Sequence, residues 1–140
     1  MPFKMSAADK DRVIKALSIP HGDVQLRCDG YRVSLSVEYS KSLTYRVMTY
    51  VNFAFKGVWI SHDSTAPERK FLRPVKSALY SPKELKRIES EYGKRKLKEF
   101  IAKHQKIFIY VAPDWASGRA AINHLCKVCD SIEILDVGHD

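Results

Sequence analysis

An α+β fold is what the sequence predicts: a mostly antiparallel sheet begun by an N-terminal meander, with helices on one face and a strand-helix-strand unit at the C-terminus. Three observations lead there. Between Val24 and Phe55 apolar and polar residues alternate largely with the period of a half-buried strand. From Ser81 to His104 the apolar spacing changes to that of amphipathic helices. Beyond Ile107 an apolar run, a helical stretch and a second apolar run follow one another, as in a right-handed crossover unit.

Taken in order, Ser6 can cap a first helix, with Asp9 in the capping-box position and Val13, Ile14 and Leu17 on one face, until Pro20 stops it. A turn at His21–Gly22 leads to a short strand with Val24, Leu26 and Cys28 inward. Asp29–Gly30 is a two-residue hairpin signal. In the next strand Tyr31, Val33, Leu35 and Val37 alternate with Arg32, Ser34, Ser36 and Glu38. A third strand is expected from Leu43 to Phe55, and Lys56–Gly57 should turn it into a further strand at Val58–Ile60.

Pro67, Pro74 and Pro82 punctuate a loop that holds one short helix, Val75 to Tyr80. Ser81-Pro82-Lys83-Glu84 starts a strong helix, Gly93 ends it, and a second helix runs from Lys94 to His104. Ile107 to Val111 reads as a strand buried on both faces. Asp114 is expected to cap a helix carrying Trp115, Ala121, Ile122, Leu125 and Val128, and Ile132 to Val137 forms the last strand. The order of elements differs from the β-α-β-β-α-β pattern of RNA-recognition domains.

The 140 residues are expected to fold as one compact domain over 1–140, large enough to need neither metal nor disulfide. No repeat, low-complexity tract or linker interrupts them. Apolar runs are too short for a membrane span, and the N-terminus lacks a signal peptide's apolar segment. Three cysteines, an odd number, point to reduced thiols and a cytoplasmic setting. The formal net charge of +8 favours an anionic partner and argues against a mimic of DNA, which would need the opposite sign.

That charge is not spread evenly. From Arg69 to Lys106 there are thirteen basic residues against four acids, a surplus larger than that of the whole chain. The helix from Lys83 to Tyr92 is nearly balanced by Glu84, Glu89 and Glu91. The loop before it and the helix after it are not. Phosphate-backbone contacts need several Lys and Arg without fixed side-chain geometry. The candidate nucleic-acid-binding set is therefore Arg69, Lys70, Arg73 and Lys76 in the loop, with Lys94, Arg95, Lys96, Lys98 and Lys103 in the helix. Arg32, Arg46 and Tyr50 could extend it onto the sheet, whereas plain solubility is the competing use of the same lysines.

Other chemistries are weaker. His124, Cys126 and Cys129 in "NHLCKVC" have zinc-type donors but lack a second pair unless Cys28, His62 or His139 is recruited, and they share a helix face with core residues. Asp63 with Glu68-Arg69-Lys70 faintly echoes a nuclease metal site, in a loop and without a further acid. His62–Asp63 could orient a base, but no nucleophile elbow or Gly-rich phosphate loop accompanies it. No catalytic residue, metal or cofactor is assigned, and Trp59 and Trp115 are expected in the core.

At "FKGVWI" (Phe55–Ile60), "FLRPVKSALYSPKELKRIESEYGKR" (Phe71–Arg95) and "DWASGRAAINHL" (Asp114–Leu125) the chain resembles small basic proteins of unassigned function encoded by tailed bacteriophages. The likeness covers the C-terminal two-thirds. It implies expression in the cytoplasm of a bacterial host, and a role in phage DNA metabolism or in countering host systems. Two functions are expected on these grounds: a non-enzymatic accessory protein that binds nucleic acid, or an interaction module, such as an anti-CRISPR, that occupies a host protein or ribonucleoprotein. A metal-dependent nuclease is the third.

Overall fold

The computed structural model describes residues 4–40, 44–61 and 64–138. Helix α1 (Ala7–Ala16) begins where the Ser6 hydroxyl accepts from the Asp9 amide at 3.1 Å, and it buries Val13. Beyond Pro20 the chain turns so tightly that a Cβ on Gly22 would fall 2.0 Å from the Ala16 carbonyl oxygen. Only glycine fits there. Strands β1 (Asp23–Cys28) and β2 (Tyr31–Tyr39) are joined through Asp29 (φ 49°) and Gly30 (φ 87°). Two positive φ values are what a hairpin turn matched to strand twist requires.

Strand β3 (Tyr45–Val51) pairs with β2, and β6 (Asp114–Trp115) and β7 (Ile132–Gly138) close the two edges, giving the order β6-β3-β2-β1-β7 with every neighbouring pair antiparallel. The register stacks Leu26 on Val33, Leu35 on Thr49 and Val37 on Val47, all buried. A shift between Gln25 and Leu26 marks a bulge against β7. Helix α4 (Gly118–Val128) packs with α1, and their Val13, Ala121, Ile122 and Leu125 join the sheet's inner face in one apolar core. The fold is α+β, as the alternation and helical spacing predict.

The opposite face of β1–β3 is polar and held by hydrogen bonds. Gln25 Oε1 accepts from Ser34 Oγ at 2.6 Å and Arg32 Nε at 3.2 Å, and Tyr50 Oη donates to Glu38 at 2.6 Å. Burial, with Glu38 as acceptor, pushes the Tyr50 phenol up to about 12. Inside the core, Trp115 Nε1 donates to Thr49 Oγ1 at 2.9 Å.

Several elements differ from expectation. The third strand stops at Val51, because Asn52 and Phe53 take left-handed φ values of 51° and 65° and return Ala54 to pair with Val51. Leu43 lies outside the described residues. Val58–Ile60 is part of a 3₁₀ turn, Gly57–Ile60, with Trp59 buried. Val75 to Tyr80 is not a helix: β4 (Arg73–Ala78) pairs there with β5 (Ile107–Ala112) in a separate two-stranded sheet. Asp114 lies in β6 and caps nothing. Ser117 caps α4, accepting from the Ala120 amide at 3.2 Å. The strand that precedes α4 in the C-terminal strand-helix-strand unit is thus β6.

The chain divides into two compact units, Met1–Arg73 with Val111–Asp140, and Pro74–Tyr110. The first holds the five-stranded sheet, α1 and α4. The second holds most of β4 and β5 with helices α2 (Pro82–Tyr92) and α3 (Lys94–His104). Among the described residues no helix is long and apolar enough to cross a membrane.

Replacing Thr49 by Val keeps the shape of the site but leaves the Trp115 indole N–H without its acceptor. We expect a loss of about 1–3 kcal/mol, read as a lower urea midpoint with an unchanged m-value.

Candidate nucleic-acid interface

The nine predicted residues separate by unit and by what they touch. In the first unit Arg69, Lys70 and Arg73 all have partners within the fold, Arg69 and Arg73 half-buried and Lys70 exposed. Arg69 Nη1 donates to the carbonyls of Trp59 at 2.6 Å and Ser61 at 2.7 Å, tying its own 3₁₀ turn (Pro67–Phe71) to the preceding one. Arg73 Nε donates to the Asp114 carbonyl at 2.6 Å, and its Nη2 lies 3.4 Å from Asp114 Oδ1. Arg46 Nε takes the other carboxylate oxygen at 2.8 Å. Burial alone would raise the Asp114 pKa, but Arg46 and Arg73 outweigh it and hold the carboxyl below its ordinary value.

Lys70 Nζ lies 2.7 Å from Asp29 Oδ2, and Asp29 also accepts from the Ser131 amide at 2.8 Å and the Asp130 amide at 3.3 Å. The bond from Lys70, then those two amides, lower the Asp29 pKa. The sheet extension is similarly engaged: Arg46 by Asp114, Tyr50 by Glu38, and Arg32 by Gln25 with its guanidinium 4.6 Å over the Phe53 ring. A phosphate reaching these cations would have to displace bonds that hold the fold.

In the second unit the remaining six stand differently. Lys76 is exposed on β4, and Lys94, Arg95, Lys96, Lys98 and Lys103 are exposed on α3. Only Arg95 has an ion pair among the described residues, a loose one to Glu99 at 3.9 Å with 94% of the arginine side chain exposed. Gly93, at φ 88°, separates α2 from α3 and serves as an N-cap without a side-chain bond. The first turn of α3 therefore carries Lys94, Arg95 and Lys96 and no acid, against the direction a helix dipole favours. Leu97 and Phe100 are half-buried, with Phe100 4.8 Å from Tyr80 and 5.0 Å from His104. On α2, Lys83, Lys86 and Arg87 are exposed.

The strand expected at Ile107–Val111 is present as β5, but its expected burial on both faces is not. An uninterrupted apolar run reads as a strand buried on both sides, yet Ile107 is 67% exposed, Phe108 42%, Ile109 62% and Tyr110 40%. The reason is its partner: β5 pairs only with β4, and two strands offer no second layer to cover both faces. The flanking Gln105 is the signal that could have been read. Its amide group donates to the Tyr80 carbonyl and accepts from the Tyr80 amide, both at 3.0 Å, completing the ladder at the edge of a small module.

The donors of "NHLCKVC" sit in the first unit. Cys28 and Cys129 are buried and Cys126 packs beside them. His124 lies 5.1 Å from Trp115, its Nε2 2.8 Å from the Lys70 carbonyl oxygen. A bond to Cys129, with burial, pushes the Cys28 thiol up. Among the described residues no three His, Cys, Asp or Glu side chains gather as a metal site. His62, Asp63 and His139 lie outside the described residues, and Glu68, Arg69 and Lys70 occupy a 3₁₀ turn. An open cleft of about 380 Å³ borders α1 and the start of α4, with Leu17, Ile19, Val47 and Arg119 in its wall. Comparisons with protein-family models, curated proteins and solved structures returned no match.

The Asp29 cluster makes stability depend on pH with a definite sign. Its folded pKa is depressed, so its contribution is complete above the ordinary Asp value of about 4 and is lost as pH falls through the lower folded value. Asp29→Asn keeps a residue that tolerates left-handed φ but removes the charge. The variant should be less stable than the parent at neutral pH, and the gap should shrink as pH falls below the ordinary Asp value of about 4. Urea midpoints across that range check it; a constant gap contradicts the linkage.

Proposed function

We propose that the chain binds the phosphate backbone of nucleic acid, without enzymatic activity, through the exposed cations of α3. The observation that carries this reading is the contrast between the two units. Loop cations Arg69, Lys70 and Arg73 are committed to internal acceptors, whereas Lys94, Lys96, Lys98 and Lys103 have no partner among the described residues. The second unit carries ten Lys and Arg against four Glu, +6 of the chain's +8.

Physically, the first turn of α3 presents amide N–H groups that lack a side-chain cap, and three cationic side chains beside them. Both attract an anion, and both are poorly disposed toward each other without one. A phosphate there relieves the mismatch. Lysines give such contacts charge but little base selectivity, so binding is expected to be broad in sequence and steep in salt. The resemblance to phage proteins supplies the context, an accessory role within a bacterial host.

A second reading, an interaction module for a host protein or ribonucleoprotein, draws on a different observation. Ile107 and Ile109 are exposed apolar side chains on one face of a strand. A pulldown from nuclease-treated lysate distinguishes it: a stoichiometric protein partner that survives nuclease favours that reading.

The backbone reading predicts that reversing Arg95, Lys96 and Lys98 to Glu weakens binding at least tenfold at low salt. It also predicts that the slope of log affinity against log salt falls by about one for each phosphate no longer neutralised. Reversing Lys15 and Lys56, exposed in the first unit, should matter far less. Fluorescence anisotropy over a salt series measures both. Affinity that is absent at low salt, or indifferent to salt, overturns the reading.

A further inference from the structure

We infer that β5 is a base-stacking strand, and that the nucleic acid bound by the second unit is single-stranded. The inference rests on the backbone-binding reading above and adds what the lysines alone do not specify. Phe108 and Tyr110 are two residues apart on a strand, so their side chains leave the same face. Their ring centroids are 6.5 Å apart and the planes differ by 28°, two nearly parallel plates side by side. Each ring remains 40% or more exposed, and neither has another aromatic partner among the described residues.

Exposed aromatic pairs are costly unless something covers them. The charge around them says what. Lys103 in the last turn of α3 and Lys106 just before β5 are exposed and unpaired among the described residues, in a unit of net charge +6. β5 itself carries no charge. A ligand that fits is an anion along one side and a flat apolar surface along the other, which describes a nucleotide strand. In a duplex the base faces are hidden in the stack, so only unpaired bases can reach the rings. A second copy of the chain fits less well, because it would bring another +6 to the same strand. Stacking tolerates any base, which agrees with lysine contacts that read none.

The test is anisotropy with oligo(dT), oligo(U) and a blunt DNA duplex at one low salt concentration, for the parent and for Phe108→Ala, Phe108→Leu, Tyr110→Leu and Tyr110→Phe. Single strands should bind more tightly than the duplex. Loss of either ring should weaken single-strand binding roughly 5- to 150-fold while leaving the salt slope unchanged. Tyr110→Phe, which keeps the ring, should retain the affinity, and the leucine variants guard against loss of fold. Equal affinity for duplex and single strand, unmoved by the ring variants, overturns the stacking inference and leaves the backbone reading standing. No binding to any of the three overturns both. Self-association of the free protein that the ring variants abolish would assign the strand to a second copy instead.

Discussion

Two guanidinium groups meet on one carboxylate at Asp114, and much of the arrangement of charge follows from that meeting. Arg46 comes from β3, Arg73 from the start of β4, and Asp114 from the edge strand β6. An arginine donates through a planar fork, so a carboxylate with two of them fixes directions as well as distances. The half-buried setting keeps solvent from screening the pair fully. With Asp29 holding Lys70, and two carbonyls holding Arg69, the basic loop is a structural seam.

The consequence for function is one of subtraction. Counting cations along the chain treats the loop and α3 as equals, because both are rich in Lys and Arg. In three dimensions two of the loop's charges meet acids distant in sequence: Asp29 lies forty-one residues from Lys70, and Asp114 as far from Arg73. No local pattern reveals such partners. The helix differs because its one acid, Glu99, is local and visible, and it engages only Arg95.

Legibility followed the same rule elsewhere. The Asp29–Gly30 hairpin, the alternation of β2 and the Ser81-Pro82 helix start are short-range facts of backbone conformation, and all three stand in the structure. Trp59 and Trp115 are buried as expected. What misled was decided by tertiary partners. Val75–Ala78 is β-structure because β5 pairs with it, and Ile107–Tyr110 is exposed because no second layer covers it. Asp114 looks like a helix cap until the two arginines reach it. Of the candidate site, the cations of α3 and Lys76 could be read from the sequence, and the aromatic face of β5 could not.

The lone pair of strands in the second unit also bears on how the protein behaves in bulk. Strand β5 is apolar, exposed and available at its outer edge, the profile of a segment that joins with its own kind. The lysines around it act as gatekeepers, holding identical strands apart by repulsion whose range is the Debye length. Colloidal stability is therefore tied to ionic strength: concentrated salt, or neutralisation of those lysines by acetylation, shortens the repulsion while leaving the stickiness of the strand intact. The charges of Lys103 and Lys106 oppose the approach of a second such strand, and that opposition is only as long-ranged as the salt allows.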